Sequence, residues 1–243
     1  MPRFFIEREP LEKEYFVGGE SGSHMVRSLR MRPGERAVLC AGTGKDFLCT
    51  VLECRQEGAL VRIDEIRESR GEPKVRLTVC QCWPKGDKLE TVVQKAVELG
   101  AAELWPLESA RCVSRPDRKA AEKKRERLQK IALEAAQQSG RGIVPAVLPP
   151  ATLRQALEIA GEQGELLFFY EEGTESLKQA LSAMGDRLFL FVGPEGGFTP
   201  EEAALAKSLG ARLLTLGPRI LRTETAPIAA LSAILYERGE FER

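Results

Sequence analysis

The alternation of apolar and polar positions changes rhythm once along the chain. Up to about residue 70, short apolar runs stand between turn-forming clusters. The runs are Phe4 to Ile6, Ala37 to Leu39, Phe47 to Leu52 and Leu60 to Ile63; the turns between them are Pro33-Gly34, Ala41-Gly42-Thr43-Gly44 and Glu57-Gly58. Such runs predict short strands. His24 to Met31 instead spaces Met25, Val26 and Leu29 at helical intervals and sets Arg27, Arg30 and Arg32 apart from them. Several strands with one helix predict a small β-barrel. Glu65 to Pro73, polar and ending in Gly71 and Pro73, reads as a linker.

From Val75 strands and helices alternate. Val75 to Cys82, Leu104 to Leu107, Val144 to Leu148, Leu166 to Tyr170, Leu188 to Val192 and Leu213 to Leu216 read as strands. Between them, Leu89, Val92, Val93, Ala96 and Val97 form one helical stripe, with Asp87 and Glu90 in a capping pattern before it and Gly100 as its stop. Lys119 to Ser139, Leu153 to Ala160 and Ser176 to Met184 predict further helices, and Thr199-Pro200-Glu201-Glu202 is a capping box with proline at the first position. The alternation predicts a mostly parallel, doubly wound α/β sheet. The final helix, Pro227 to Tyr236, has almost no polar face. It is therefore expected either within the domain or against a partner subunit.

Composition narrows the classes without choosing among them. With 30% charged residues and no long apolar run, the chain is not expected to span a membrane. Acidic residues interrupt the start at once, so no signal peptide is expected and the expected compartment is the cytoplasm. The net charge is +0, so any nucleic-acid surface must be a local patch. Six cysteines without a C-x-x-C pair, beside a single histidine, predict small core residues and no metal site.

Two loops concentrate the candidate chemistry. Gly193-Pro194-Glu195-Gly196-Gly197 and Leu216-Gly217-Pro218-Arg219-Ile220-Leu221-Arg222-Thr223-Glu224-Thr225-Ala226 each follow an apolar strand and precede a helix. Loops so placed build the ligand crevice of an α/β sheet. Glycines that merely turn the chain, and threonines that merely cap a helix, are the competing readings. Neither a G-x-G-x-x-G nor a G-x-x-x-x-G-K-[ST] motif is present, which weighs against a dinucleotide or ATP enzyme. The basic excess over residues 111–141 is either a solvated helix face or a phosphate-binding surface.

These stretches taken together resemble the ribosomal RNA small subunit methyltransferase E family, within the SPOUT superfamily of knotted RNA methyltransferases. The resemblance rests on Arg3-Phe4-Phe5 and His24 to Gly34, on Lys85-Gly86-Asp87 with Glu90, Gln94-Lys95-Ala96 and Glu98-Leu99-Gly100, on Lys130-Ile131-Ala132 and Glu134 to Arg141, and on both glycine loops. It departs at Arg111-Cys112-Val113, where serine is expected in place of Cys112.

The resemblance implies a PUA-like, RNA-binding β-barrel over residues 1–72. Over 73–243 it implies a SPOUT methyltransferase domain, a trefoil-knotted parallel sheet with helices on both faces. It also implies a homodimer through the C-terminal domain, S-adenosylmethionine as cofactor, and N3-methylation of a uridine, conventionally position 1498, in the 16S RNA of the small ribosomal subunit. Carried onto this chain, the cofactor falls to Phe169, Val192, Gly193, Pro194, Glu195, Gly196, Gly197, Leu216, Gly217, Ile220, Leu221, Arg222, Thr225 and Ala226. RNA falls to Arg3, Arg27, Arg30, Arg32, Lys85, Arg111 and Arg141. Catalysis falls to Arg222 as stabiliser of the uracilate and to Glu224 or Glu98 as proton acceptor. The alternatives are a SPOUT enzyme with a different RNA target and a non-catalytic RNA-binding ribosome-assembly factor.

Overall fold

The structure, a computed structural model, describes residues 1–242. They form two compact units: residues 1–72 together with 136–144, and 73–135 together with the chain from Pro145 onward.

The first unit holds β1 (Arg3–Phe5), β2 (Glu14–Val17), α1 (Gly19–Ser23), β3 (Arg36–Cys40), β4 (Lys45–Arg55) and β5 (Gly58–Glu68). They make one sheet in the order β1-β3-β4-β5-β2, with only β1 and β3 parallel. Register shifts at Leu48/Cys49 and Val51/Glu53 in β4 bend the sheet around its own core, as bulges do. That core contains Phe4, Met25, Leu39, Phe47 and Val61. The helical segment begins earlier than its periodicity predicts: α1 runs straight into one π-helical turn, His24–Ser28. Strand β2 leaves little trace in the sequence, because only its Val17 is buried. The expected linker is strand as far as Glu68; its residues look polar because that end of β5 is largely exposed while it still pairs with β4.

Residues 136–144 are tied to the first unit by Glu72. Its carboxylate accepts hydrogen bonds from Arg141 Nη2 at 2.6 Å, from the Gly142 amide at 2.9 Å and from the Ile143 amide at 3.1 Å.

The second unit holds β6 (Arg76–Cys82), α2 (Lys88–Glu98), β7 (Glu103–Glu108), most of α3 (Arg118–Ser139), β8 (Ala146–Val147), β9 (Ala151–Thr152) and α4 (Leu153–Gly161). It continues with β10 (Glu165–Phe169), β11 (Glu175–Ser176), α5 (Leu177–Leu181), β12 (Arg187–Val192), α6 (Pro200–Ser208), β13 (Arg212–Thr215) and α7 (Ala226–Glu237). The sheet order is β11-β13-β10-β12-β6-β7-β8, β9 also pairs with β7, and every pairing is parallel. Parallel sheets are covered on both faces, which is why β12 reads as Leu-Phe-Leu-Phe-Val without alternation. Contacts sort the helices into two sets: α2, α5 and α7 pack together, and α4 packs with α6.

Helix α7 buries Pro227, Ala230, Leu231, Ile234 and Leu235. Ala229, Ser232, Ala233 and Tyr236 lie on another face that stays at least partly open, with Tyr236 74% exposed. At the start of α2 the expected side-chain cap by Asp87 is absent; only its backbone carbonyl is used, by the Glu90 amide.

Candidate functional site

The chain runs from β10 to its neighbour β12, then crosses to β13 on the other side of β10. The next stretch, Leu216 to Thr225, leads back to α7, which packs on β6 and β12. The two glycine loops thus leave the C-terminal ends of the parallel strands on either side of β10, where α/β sheets form ligand crevices. A cavity of about 570 Å³ opens there, inside the second unit. Its size lies within the roughly 300–1,000 Å³ of small-molecule sites.

The first loop is shaped by its glycines. Gly197 has φ +64 and its amide donates to the Pro194 carbonyl at 2.9 Å. A Cβ at Gly193 would stand 3.0 Å from the Gly197 carbonyl carbon, so a side chain there would require the loop backbone to shift by a few tenths of an ångström. Arg111 Nη1 donates to the Gly196 carbonyl at 2.7 Å and braces the loop from outside. Beyond the loop the expected capping box forms: Thr199 Oγ1 accepts from the Glu202 amide, and Glu202 Oε2 accepts from the Thr199 amide at 2.9 Å. The other oxygen of Glu202 accepts from the Ala110 amide at 2.7 Å.

The second loop is joined to the first from within. Buried Thr223 donates from Oγ1 to the Gly193 carbonyl at 2.7 Å and accepts from Gln81 Nε2 at 3.0 Å. Gln81 Nε2 also reaches the Gly193 carbonyl at 3.2 Å. Neither Thr223 nor Thr225 caps α7 with its side chain; the hydroxyl of Thr223 is used for loop closure instead.

Two carboxylates meet one ammonium beside the cavity. Lys88 Nζ stands 2.7 Å from Glu195 Oε1 and 3.6 Å from Glu224 Oε2. Glu195 also accepts from the Lys85 amide at 3.1 Å. Partial burial pushes the Glu195 carboxyl upward, but the Lys88 ammonium and the amide donors outweigh it and hold it below its ordinary value. The hydrogen bond to Glu195 raises Lys88. Glu224 Oε2 is enclosed and has no hydrogen-bond partner among the described residues.

Of the fourteen residues expected around the cofactor, all line this cavity except Thr225, which is exposed. Its apolar wall is Phe169, Val192, Leu214, Leu216 and Leu221, a surface suited to a flat base. The glycine edge allows close backbone approach, and the two carboxylates beside the cavity suit a cationic group.

The residues expected in catalysis separate. Arg222 is exposed on the cavity lining, and Glu224 lies beside Lys88. Glu98 lies ten residues beyond Lys88 on α2, about 15 Å along the axis, where it pairs with Lys95 at 2.8 Å. Glu224 and Glu98 are both outside the cavity lining itself.

The residues expected toward RNA also divide. Arg27, Arg30 and Arg32 are exposed, on or just beyond the helical segment of the first unit, and Lys85 is exposed in the second. Arg3 is held against buried Asp46 by two hydrogen bonds of 2.5 and 2.9 Å. Arg141 is 3% exposed and paired with Glu72. These two guanidiniums are engaged by carboxylates within the first unit and belong to its framework. Arg111, though exposed, spends one nitrogen on Gly196.

The sequence reading missed Lys88, Gln81 and the closing role of Thr223. A lysine in the first turn of an amphipathic helix looks like any solvated lysine. Gln81 did carry a signal: it is polar within an otherwise apolar strand, Val79-Cys80-Gln81-Cys82, and a buried polar side chain marks an engaged group.

Residues 71–235 match an RNA methyltransferase domain family, and residues 17–63 match an RNA methyltransferase PUA domain. The chain is 36% identical to the ribosomal RNA small subunit methyltransferase E of Bacillus subtilis, over 98% of this chain and 97% of that protein. It is 34% identical to the protein of the same name from Mycobacterium tuberculosis, over 90% and 84%. Among solved structures it is similar to a ribosomal RNA small subunit methyltransferase E from Neisseria gonorrhoeae bound to S-adenosyl methionine, with 34% identity, a TM-score of 0.86 and 97% of each chain covered. A methyltransferase from Legionella pneumophila in complex with the same cofactor aligns at 32% identity, with a TM-score of 0.86 and 96% of each chain covered.

Proposed function

We infer, for a chain that belongs to the ribosomal RNA small subunit methyltransferase E family, that it methylates 16S RNA of the small ribosomal subunit using S-adenosylmethionine. We read the target as N3 of uridine 1498. The observation that carries the reading is the cavity between two cross-tied glycine loops, with Arg222 on its lining.

The residues present fit this cofactor. The apolar wall would hold the adenine, and the loop 193–197, where a Cβ at Gly193 would be a tight fit, would hold the ligand through backbone groups. The excess negative charge of Glu195 and Glu224 over Lys88 favours a cationic ligand. Bound there, S-adenosylmethionine supplies a methyl group on a positively charged sulfur, whose leaving group is a neutral thioether.

The protein's own task is the nucleophile. Uracil N3 carries a proton whose pKa lies roughly two units above neutral, so exposing its lone pair costs ~3 kcal/mol at about 1.36 per unit. In this reading Arg222 stabilises the charge that develops on the uracil oxygens. Glu224, paired with Lys88 in the same loop as Arg222, accepts the N3 proton. The uridine must be unstacked to reach them, because N3 is hidden in a base pair. Arg27, Arg30 and Arg32 position phosphates.

The same reading takes the return of the chain from β13 to α7 as the trefoil knot. It takes the open face of α7 and Ile220, 88% exposed, as a homodimer surface. Light scattering at micromolar concentration tests the dimer, and a monomer would refute it. The test of function is methylation of small subunits from a strain lacking this modification, with nucleotide mapping. A methyl group on a different nucleotide would overturn the target, and none at all would overturn the enzyme.

A further inference from the structure

Resting on that reading, we propose that Lys88 is a positioning residue of the methyl-transfer site. Its single ammonium holds Glu195 of the cofactor loop and Glu224 of the second loop in one arrangement. Three observations meet at this nitrogen. Lys88 lines the cavity from the first turn of α2, an element separate from both loops. It lies 2.7 Å from one carboxylate and 3.6 Å from the other. The nearer carboxylate also accepts the Lys85 amide, which anchors the cofactor loop to the entry of α2.

Two carboxylates around one cation carry an excess negative charge. Without Lys88 they face each other unscreened, and like charges so placed separate or take up a proton. The cation therefore does two separable things. Through Glu195 it sets the position of Gly193 to Gly197 against the donor. Through Glu224 it fixes the second carboxylate in the loop that carries Arg222.

Each arm has its own readout in the full-length protein. Titration calorimetry with S-adenosylmethionine, with no RNA present, reads the Glu195 arm. Lys88→Met should weaken binding about tenfold, the worth of one charge-assisted hydrogen bond, and Lys88→Arg should restore most of it. In the Glu195→Gln background, Lys88→Met should have little further effect; additive losses would overturn this arm. Single-turnover methylation of small subunits at saturating cofactor reads the Glu224 arm. Lys88→Met should slow it about tenfold, the worth of one charge-assisted hydrogen bond, and Lys88→Arg should restore most of the rate. In the Glu224→Gln background Lys88→Met should have little further effect on the rate, a result that loss of packing alone cannot give.

Unchanged donor affinity together with an unchanged single-turnover rate in Lys88→Met would overturn the proposal. Full turnover in Glu224→Gln would remove Glu224 as proton acceptor, yet the calorimetric cycle would still test the Glu195 arm. The two failures are thereby distinguishable.

Discussion

The hydroxyl of Thr223 donates a 2.7 Å hydrogen bond to the carbonyl of Gly193, thirty residues earlier, and both atoms are buried. This bond ties the two glycine loops into one cavity wall, with Gln81 donating to the same hydroxyl and the same carbonyl. Thr223→Val keeps the shape and removes the donor. The expected loss is ~1 kcal/mol of stability, a fall in Tm of about 2–4 °C for a domain of this size. Weaker binding of S-adenosylmethionine should accompany it. Unchanged affinity in calorimetry would mean that the tie does not shape the cofactor wall.

Arg222 is exposed on the cavity lining, and among the described residues no carboxylate pairs with it in the way Asp46 pairs with Arg3. Arg222→Ala should therefore lower kcat about a hundredfold, the usual loss of one transition-state donor, while the protein stays folded. Single-turnover rates at saturating cofactor check this, and full turnover with normal cofactor binding would remove Arg222 from the chemistry.

Arg27, Arg30 and Arg32 should contribute to RNA affinity through phosphates. Replacing all three with alanine should weaken binding across sequences. It should also flatten the dependence of log K on log salt by about two, at roughly 0.7 per contact to single-stranded RNA. A wild-type slope in filter binding between low and moderate salt would exclude these contacts.

Arg3 should behave differently, because it is paired rather than free. Arg3→Ala leaves Asp46 buried and without its main partner, at a cost of about 3 kcal/mol. Burial pushes the Asp46 carboxyl up, but the hydrogen bonds and attraction of Arg3 outweigh this and hold it below its ordinary value of 3.8. A depressed carboxylate contributes stability that is complete above that ordinary value and is lost as pH falls through the lower folded value. The stability gap between wild type and Asp46→Asn in urea should accordingly hold from pH 7 to about 4 and shrink below. A gap independent of pH would show that the carboxylate charge contributes nothing.

The hydrophobic pattern by itself specified most of the architecture, because burial imposes a period on every long element. The stripe Leu89-Val92-Val93-Ala96-Val97 marks a helix face, and the unbroken Leu188 to Val192, short and stopped by Gly193-Pro194, fits a doubly covered strand. Strands β2, β9 and β11 escaped, since two- to four-residue strands with little burial carry no such period.

The two glycine loops, too, could be read as a crevice from sequence, because glycine between a strand and a helix signals close backbone approach. Tertiary structure alone decided which charges reach that crevice. Arg3 and Arg222 are the same side chain, yet one neutralises a buried aspartate and the other is left exposed on the lining. Lys88 and Glu98 share one helix, but ten residues of axial rise separate them, so only Lys88 meets Glu195 and Glu224. Periodicity reports which side chains leave water. It carries no record of which partner, distant in sequence, waits for a charge, and at this site that choice was made by the return of the chain from β13 to α7.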